Sequence, residues 1–148
     1  MDSMKVVLPV LVALVILLTL AGCTQTQQQG TDNTANSNNS IIGGTEYTIE
    51  YTPNGYAPDK LTIKKGDTVK WVNKSAVEMW PASAKHPTHE AYPGSSITKC
   101  GTPEEAGIFD ACKGIPADES FSFTFNEVGQ WFYHDHLDST KFGQIIVE

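Results

Sequence analysis

The four histidines of this sequence stand in two short motifs and nowhere else. His86 and His89 lie in Lys85-His86-Pro87-Thr88-His89, and His134 and His136 lie in Tyr133-His134-Asp135-His136. Neutral imidazole is a common ligand for copper, zinc, nickel and iron. In an extended strand, residues i and i+2 point to the same side. His134 and His136 can therefore present two imidazoles to one point, and the first pair can add one or two more. Scattered surface histidines are the bland alternative, and the clustering argues against it. Catalysis by histidine alone has less support, because no Ser or Cys nucleophile stands in a recognisable setting.

Other residues near the motifs bear on the same chemistry. Met79 can serve as a weak axial ligand or pack in the core. Asp135 lies between two histidines and should face away from them. It is either an acceptor that orients a neighbouring imidazole or a solvated carboxylate. Glu90 is a further ligand candidate. Trp80 and Tyr92 are read as cover over the site rather than as ligands. The cysteines are Cys23, Cys100 and Cys112. Cys100 and Cys112 are expected to pair in an oxidising compartment. Such a bond is worth about 3 kcal/mol on the chain-entropy model. The alternatives are two free thiols, or a Cys112 thiolate on the metal.

The elements that must position these groups read as strands. Glu46 to Tyr51 (EYTIEY) alternates, and Pro53-Asn54-Gly55 is a turn signal. Lys60 to Lys64 alternates again, and Lys65-Gly66-Asp67 is a tight turn. Thr68 to Asn73 (TVKWVN) places Val69 and Trp71 on one face and Val72 on the other. Ser120 to Phe125 (SFSFTF) puts Phe121, Phe123 and Phe125 on one face, as core filler. Gln130 to His134 and Gly143 to Val147 complete the set. Between them, Lys74 to Ile115 is rich in Pro and Gly and shows no sustained alternation. A loop of about 40 residues is abnormal in a compact domain, so it should carry function, a disulfide, or both. A short helical turn is expected near Pro103–Ile108, with Thr102 as cap and Pro103 at the first position. Several short strands with no sustained helix predict an all-β sandwich or barrel with one long loop.

The N-terminal part is of another kind. Val6 to Leu20 is an apolar run, shorter than the roughly 20 residues a membrane span needs. It suits the central region of a signal peptide. The ending Leu20-Ala21-Gly22-Cys23 resembles a lipobox, where a lipoprotein is cleaved and then lipidated on its cysteine. An uncleaved anchor, with Cys23 a bystander, is the other possibility. Thr24 to Gly44 is almost all Gln, Asn, Thr, Ser and Gly, too polar to offset its ordering entropy. It reads as a tether spanning about 25 Å as a flexible coil. The organisation is therefore a signal peptide (1–22), a tether (23–44) and one domain (45–148), held outside the cytoplasm at the cell membrane. Net charge is −7 and every basic residue is Lys. An acidic chain without Arg is a poor nucleic-acid binder, because that affinity rests on phosphate neutralisation.

Tyr47 to Asn73, YTIEYTPNGYAPDKLTIKKGDTVKWVN, resembles the opening of cupredoxins. The resemblance lies in Pro58, Leu61, Thr62, Ile63, Gly66, Asp67, Val69, Trp71 and Asn73 at their characteristic spacing. Gly129-Gln130-Trp131-Phe132-Tyr133-His134 and Gly143 to Val147 are similar to the late strands of that family. The resemblance implies a cupredoxin-like Greek-key β-sandwich or barrel, and it implies copper. It also shows departures. Met79 stands near the place of the first histidine ligand, His134 near that of the cysteine, and Lys141 near that of the methionine. His136 has no clear equivalent. Tyr133-His134-Asp135-His136-Leu137 also resembles the His-x-His stretches of multicopper oxidases.

A blue copper site needs a thiolate in a trigonal set with two imidazoles. An all-imidazole site would bind Cu(II) without the thiolate colour. The reading is therefore a mononuclear copper site of His86, His89, His134 and His136, with Met79 and Cys112 as lesser candidates and zinc or another divalent metal as alternatives. Its role would be copper binding, carriage or redox relay, with a redox protein as possible partner, rather than catalysis. An electron carrier using Cys112, a metal-free interaction module and a small oxidase or dismutase-like enzyme remain as other readings.

Overall fold

The computed structural model describes residues 43–148. The signal segment, Cys23 and nearly all of the tether lie outside the described residues. No helix among the described residues is long and apolar enough to cross a membrane.

Eight strands are found among the described residues: β1 (Glu46–Thr52), β2 (Gly55–Ala57), β3 (Lys60–Ile63), β4 (Thr68–Asn73), β5 (Pro81–Ser83), β6 (Ser120–Thr124), β7 (Gly129–Asp135) and β8 (Phe142–Val147). They form two four-stranded sheets, ordered β2-β1-β4-β6 and β3-β8-β7-β5. The pairs β1/β4 and β3/β8 are parallel. The chain is thus an all-β sandwich, as alternation predicts.

The core is aromatic and lies between the sheets. In β4, Val69, Trp71 and Asn73 point inward and are buried, while Val72 faces the other way. The Trp71 ring stacks on Phe109 at 5.2 Å and on Phe121 at 5.7 Å, and meets Tyr133 of the second sheet edge-on at 5.3 Å. Full burial of one such side chain contributes about 2–3 kcal/mol. Phe125 is buried, and Phe121 and Phe123 pack against the same cluster, so the SFSFTF stripe is core as expected. The turn after β3 is tied by Asp67, whose carboxylate accepts from the Lys64 and Thr45 amides.

The long segment after β4 is not a free loop. It contributes β5, which the sequence pattern did not reveal, because three residues are too few to show a period. Met79 and the residues of β5 itself pair with the 109–115 stretch. Met79 bridges Ile115, and Ala82 bridges Asp110. The amide of Ser83 donates to Phe109, and that of Ala111 to Pro81. The second sheet is therefore extended beyond β5 by a short stitched segment. The expected helical turn is a 3-10 turn at Glu105–Gly107, with Thr102 accepting from the Glu104 amide before it. A second 3-10 turn, Ile97–Lys99, is capped by Ser96.

Cys100 and Cys112 are joined by a disulfide across Cα atoms 5.4 Å apart. This corrects one candidate ligand. Cys112 has its sulfur in a covalent bond and has no thiolate to offer a metal. Met79 is fully buried within the hydrophobic cluster, where its side chain packs as core.

Candidate metal centre

Strand pairing places the second histidine motif on the outer face of the second sheet. Residues directly opposite in an antiparallel ladder share a face. His134 pairs with Phe142 of β8 on one side and with Ala82 of β5 on the other, and Ala82 bridges Asp110. Phe142, His134, Ala82 and Asp110 thus form a cross-strand row. The alternate residues of β7 point inward. Tyr133 meets Trp71, and Asp135 is fully buried and accepts from the Tyr51 hydroxyl of the first sheet. Asp135 also accepts from the Trp80 amide at 2.9 Å and the Leu137 amide at 3.0 Å. It faces away from the imidazoles and fastens the end of β7. Of its two expected roles, orienting an imidazole and standing in solvent, it takes neither.

The first motif folds over that outer face. The Ala84 amide donates to Phe132, continuing the β5 ladder, and the chain then turns back. The turn closes with the Thr88 and His89 amides both donating to the Lys85 carbonyl. Lys85 and His89 take left-handed backbone conformations, with φ of 65° and 60°, which few non-glycine residues adopt. The result drops His89 onto the sheet, where it is fully buried, and leaves His86 above it, exposed.

The four rings meet there. Ring centroids are 5.3 Å apart for His86 and His134, 5.0 Å for His86 and His136, and 5.1 Å for His89 and His134. The widest pair is His134 and His136, at 6.5 Å. His86, His134 and His136 each offer a ring nitrogen within 4.8 Å of the others. His89 joins through Nε2, which lies 2.9 Å from Nδ1 of His136. Trp80 covers the side of the cluster, its ring 4.5 Å from that of His136. The His136 amide donates to the Trp80 carbonyl.

The electrostatics favour a neutral ring at His134 and at His136. Burial, with the neighbouring imidazoles His89, His86 and His136, pushes His134 down to about 4. Burial and the same two neighbours, His89 and His86, lower His136 as well. The Nε2 of His134 is buried and meets no hydrogen-bond partner among the described residues. A buried nitrogen without a partner is costly in a protein interior, and a metal ion is one group that can satisfy it. The donor set therefore fits a divalent metal that accepts imidazole.

Asp110 was not expected at this site. Its carboxylate meets His89 Nδ1 at 2.5 Å and accepts from the Trp80 indole at 2.6 Å and the Cys112 amide at 2.8 Å. Burial alone would raise its carboxyl, but hydrogen bonds from His89, Trp80 and the Cys112 amide hold it below the usual carboxylate range. Nothing in Phe109-Asp110-Ala111 marks it, since the only signal is the bridge to Ala82. Two other candidates take different places. Glu90 is exposed and is not grouped with the ligand atoms of His86, His134 and His136. Tyr92 packs against Phe123 and Trp131 in the core instead of covering the histidines.

No protein-family model matches this sequence, and no curated protein matches it. Solved structures do resemble it, and they define a cupredoxin-like fold. One is a purple cupredoxin from Nitrosopumilus maritimus, 20% identical with a TM-score of 0.52, over 68% of this chain and 98% of that one. Another is a reduced Cu(I) form of an amicyanin variant, 19% identical with a TM-score of 0.54, over 74% of this chain and 88% of that one. At such identities the likeness concerns the fold.

Proposed function

We propose that this protein is an extracytoplasmic copper-binding protein, tethered to the membrane through Cys23, that holds one copper ion on His86, His89, His134 and His136. The observation that carries the reading is the convergence of His86, His134 and His136, whose ring nitrogens lie within 4.8 Å of one another. The cupredoxin-like fold supports copper over zinc, as do the affinity order of divalent metals and the copper named in one neighbour's description. Bound copper would supply a one-electron couple. The chain's own part is to hold His134 and His136 neutral, bury His89 and His134 and leave His86 toward solvent. That arrangement suits carriage of copper or relay of an electron to a partner protein. With Cys112 in a disulfide, the set contains no thiolate.

Anaerobic copper titration of the purified full chain tests this. One equivalent should bind, and the His134→Ala/His136→Ala variant should lose that site. The loaded protein should lack the intense thiolate band near roughly 600 nm that a cysteine-ligated site gives. Absence of stoichiometric binding, or an unchanged affinity in the double variant, would return the chain to the metal-free interaction module.

A further inference from the structure

The carboxylate of Asp110 is enclosed, with its side chain fully buried. Three N–H groups converge on its two oxygens, those of His89, Trp80 and the Cys112 backbone. An ionised carboxylate only accepts hydrogen bonds, so Nδ1 of His89 must carry the hydrogen in their contact. A neutral imidazole has one such hydrogen, and its lone pair then falls on Nε2. That is the nitrogen lying 2.9 Å from His136 inside the cluster. The opposite tautomer would aim its lone pair at the carboxylate and its N–H at the other rings.

The second oxygen acts on another histidine. Oδ1 accepts from Nε1 of Trp80, whose ring lies against His136. Asp110 is itself held in place by the Ala82 bridge and by its neighbour Cys112, whose disulfide anchors the segment. One carboxylate thus constrains two imidazoles from opposite motifs.

We propose that Asp110 is the positioning residue of the histidine cluster, locking His89 as its Nδ1–H tautomer and holding Trp80 against His136. The part that concerns copper rests on the function proposed above, whereas the tautomer belongs to the metal-free chain. Groups that orient a ligand histidine in this way are worth about 10–100-fold in metal affinity.

Long-range nitrogen–proton NMR of the metal-free full chain tests the tautomer directly. His89 should be Nδ1–H, and finding it as Nε2–H would overturn the assignment even if no variant folds. In Asp110→Asn the amide has one acceptor oxygen. If that oxygen keeps Trp80 and Cys112, the NH2 group turns to His89 and favours Nε2–H. Copper affinity should then fall by about 10–100-fold, and Asp110→Glu should recover part of it. Trp80→Phe should alter the Cu(II) paramagnetic resonance spectrum while leaving the His89 tautomer alone. An Asp110→Asn chain with wild-type copper affinity, spectrum and tautomer would also overturn the proposal. A wild-type chain that binds no copper yet keeps His89 as Nδ1–H would sink the copper reading and support the positioning role.

Discussion

The imidazole of His134 is buried under the Lys85–His89 turn, with three other rings around it. Its folded-state pKa falls from 6.5 to about 4, chiefly through burial. The consequence for stability has a definite sign. On acidification the unfolded chain takes up the proton first, near 6.5, while the folded chain resists until about 4. The unfolded state therefore gains ground through that window, and the metal-free fold weakens as pH falls across it. Urea midpoints measured with chelator at pH values spanning the window should drop more steeply for wild type than for His134→Gln. Equal slopes would show that His134 is not the responsible group.

At the scale of elements, the second sheet depends on a stitched segment rather than on a full strand. β5 is three residues long, and its outer side is held by the 109–111 stretch and the Cys100–Cys112 disulfide. Removing that bond with Cys100→Ser/Cys112→Ser should cost about 3 kcal/mol, read as a lower denaturant midpoint. The larger effect should fall on the site. Released from its cross-link, the segment carrying Asp110 loses an anchor, so copper affinity should decline together with stability. A double variant with wild-type midpoint and affinity would mean that the Ala82 bridge alone suffices. The same elements explain what the sequence concealed. A strand of three residues shows no period, and a segment that pairs with a residue 28 positions away shows none either.

For the whole molecule, the sandwich gives the histidines one outer sheet face, and export and tethering would decide where that face works. Palmitate labelling of cells producing the full chain should mark wild type and not Cys23→Ser, and the variant should leave the membrane fraction. A Cys23→Ser chain that stays in that fraction would favour an uncleaved anchor. The N-terminal composition carries this expectation entirely by itself.

The sequence by itself determined what local pattern can encode. Alternation in β1, β3, β4 and β6 marked strands and their inward residues, from Trp71 to Phe125, because a period of two is written residue by residue. The two histidine motifs were visible for the same reason, and so was the pairing of the two domain cysteines, which is a matter of counting. Only the tertiary structure decided which way the site faces. Asp135 turns inward because the first sheet offers it Tyr51, and that sends His134 and His136 outward. Only the fold could bring Asp110 to His89, 21 residues away, since their contact depends on the Lys85–His89 turn, the bridge to Ala82 and the disulfide closing together. Pairing between distant segments has no signature in either segment alone, and this centre is built from such pairings.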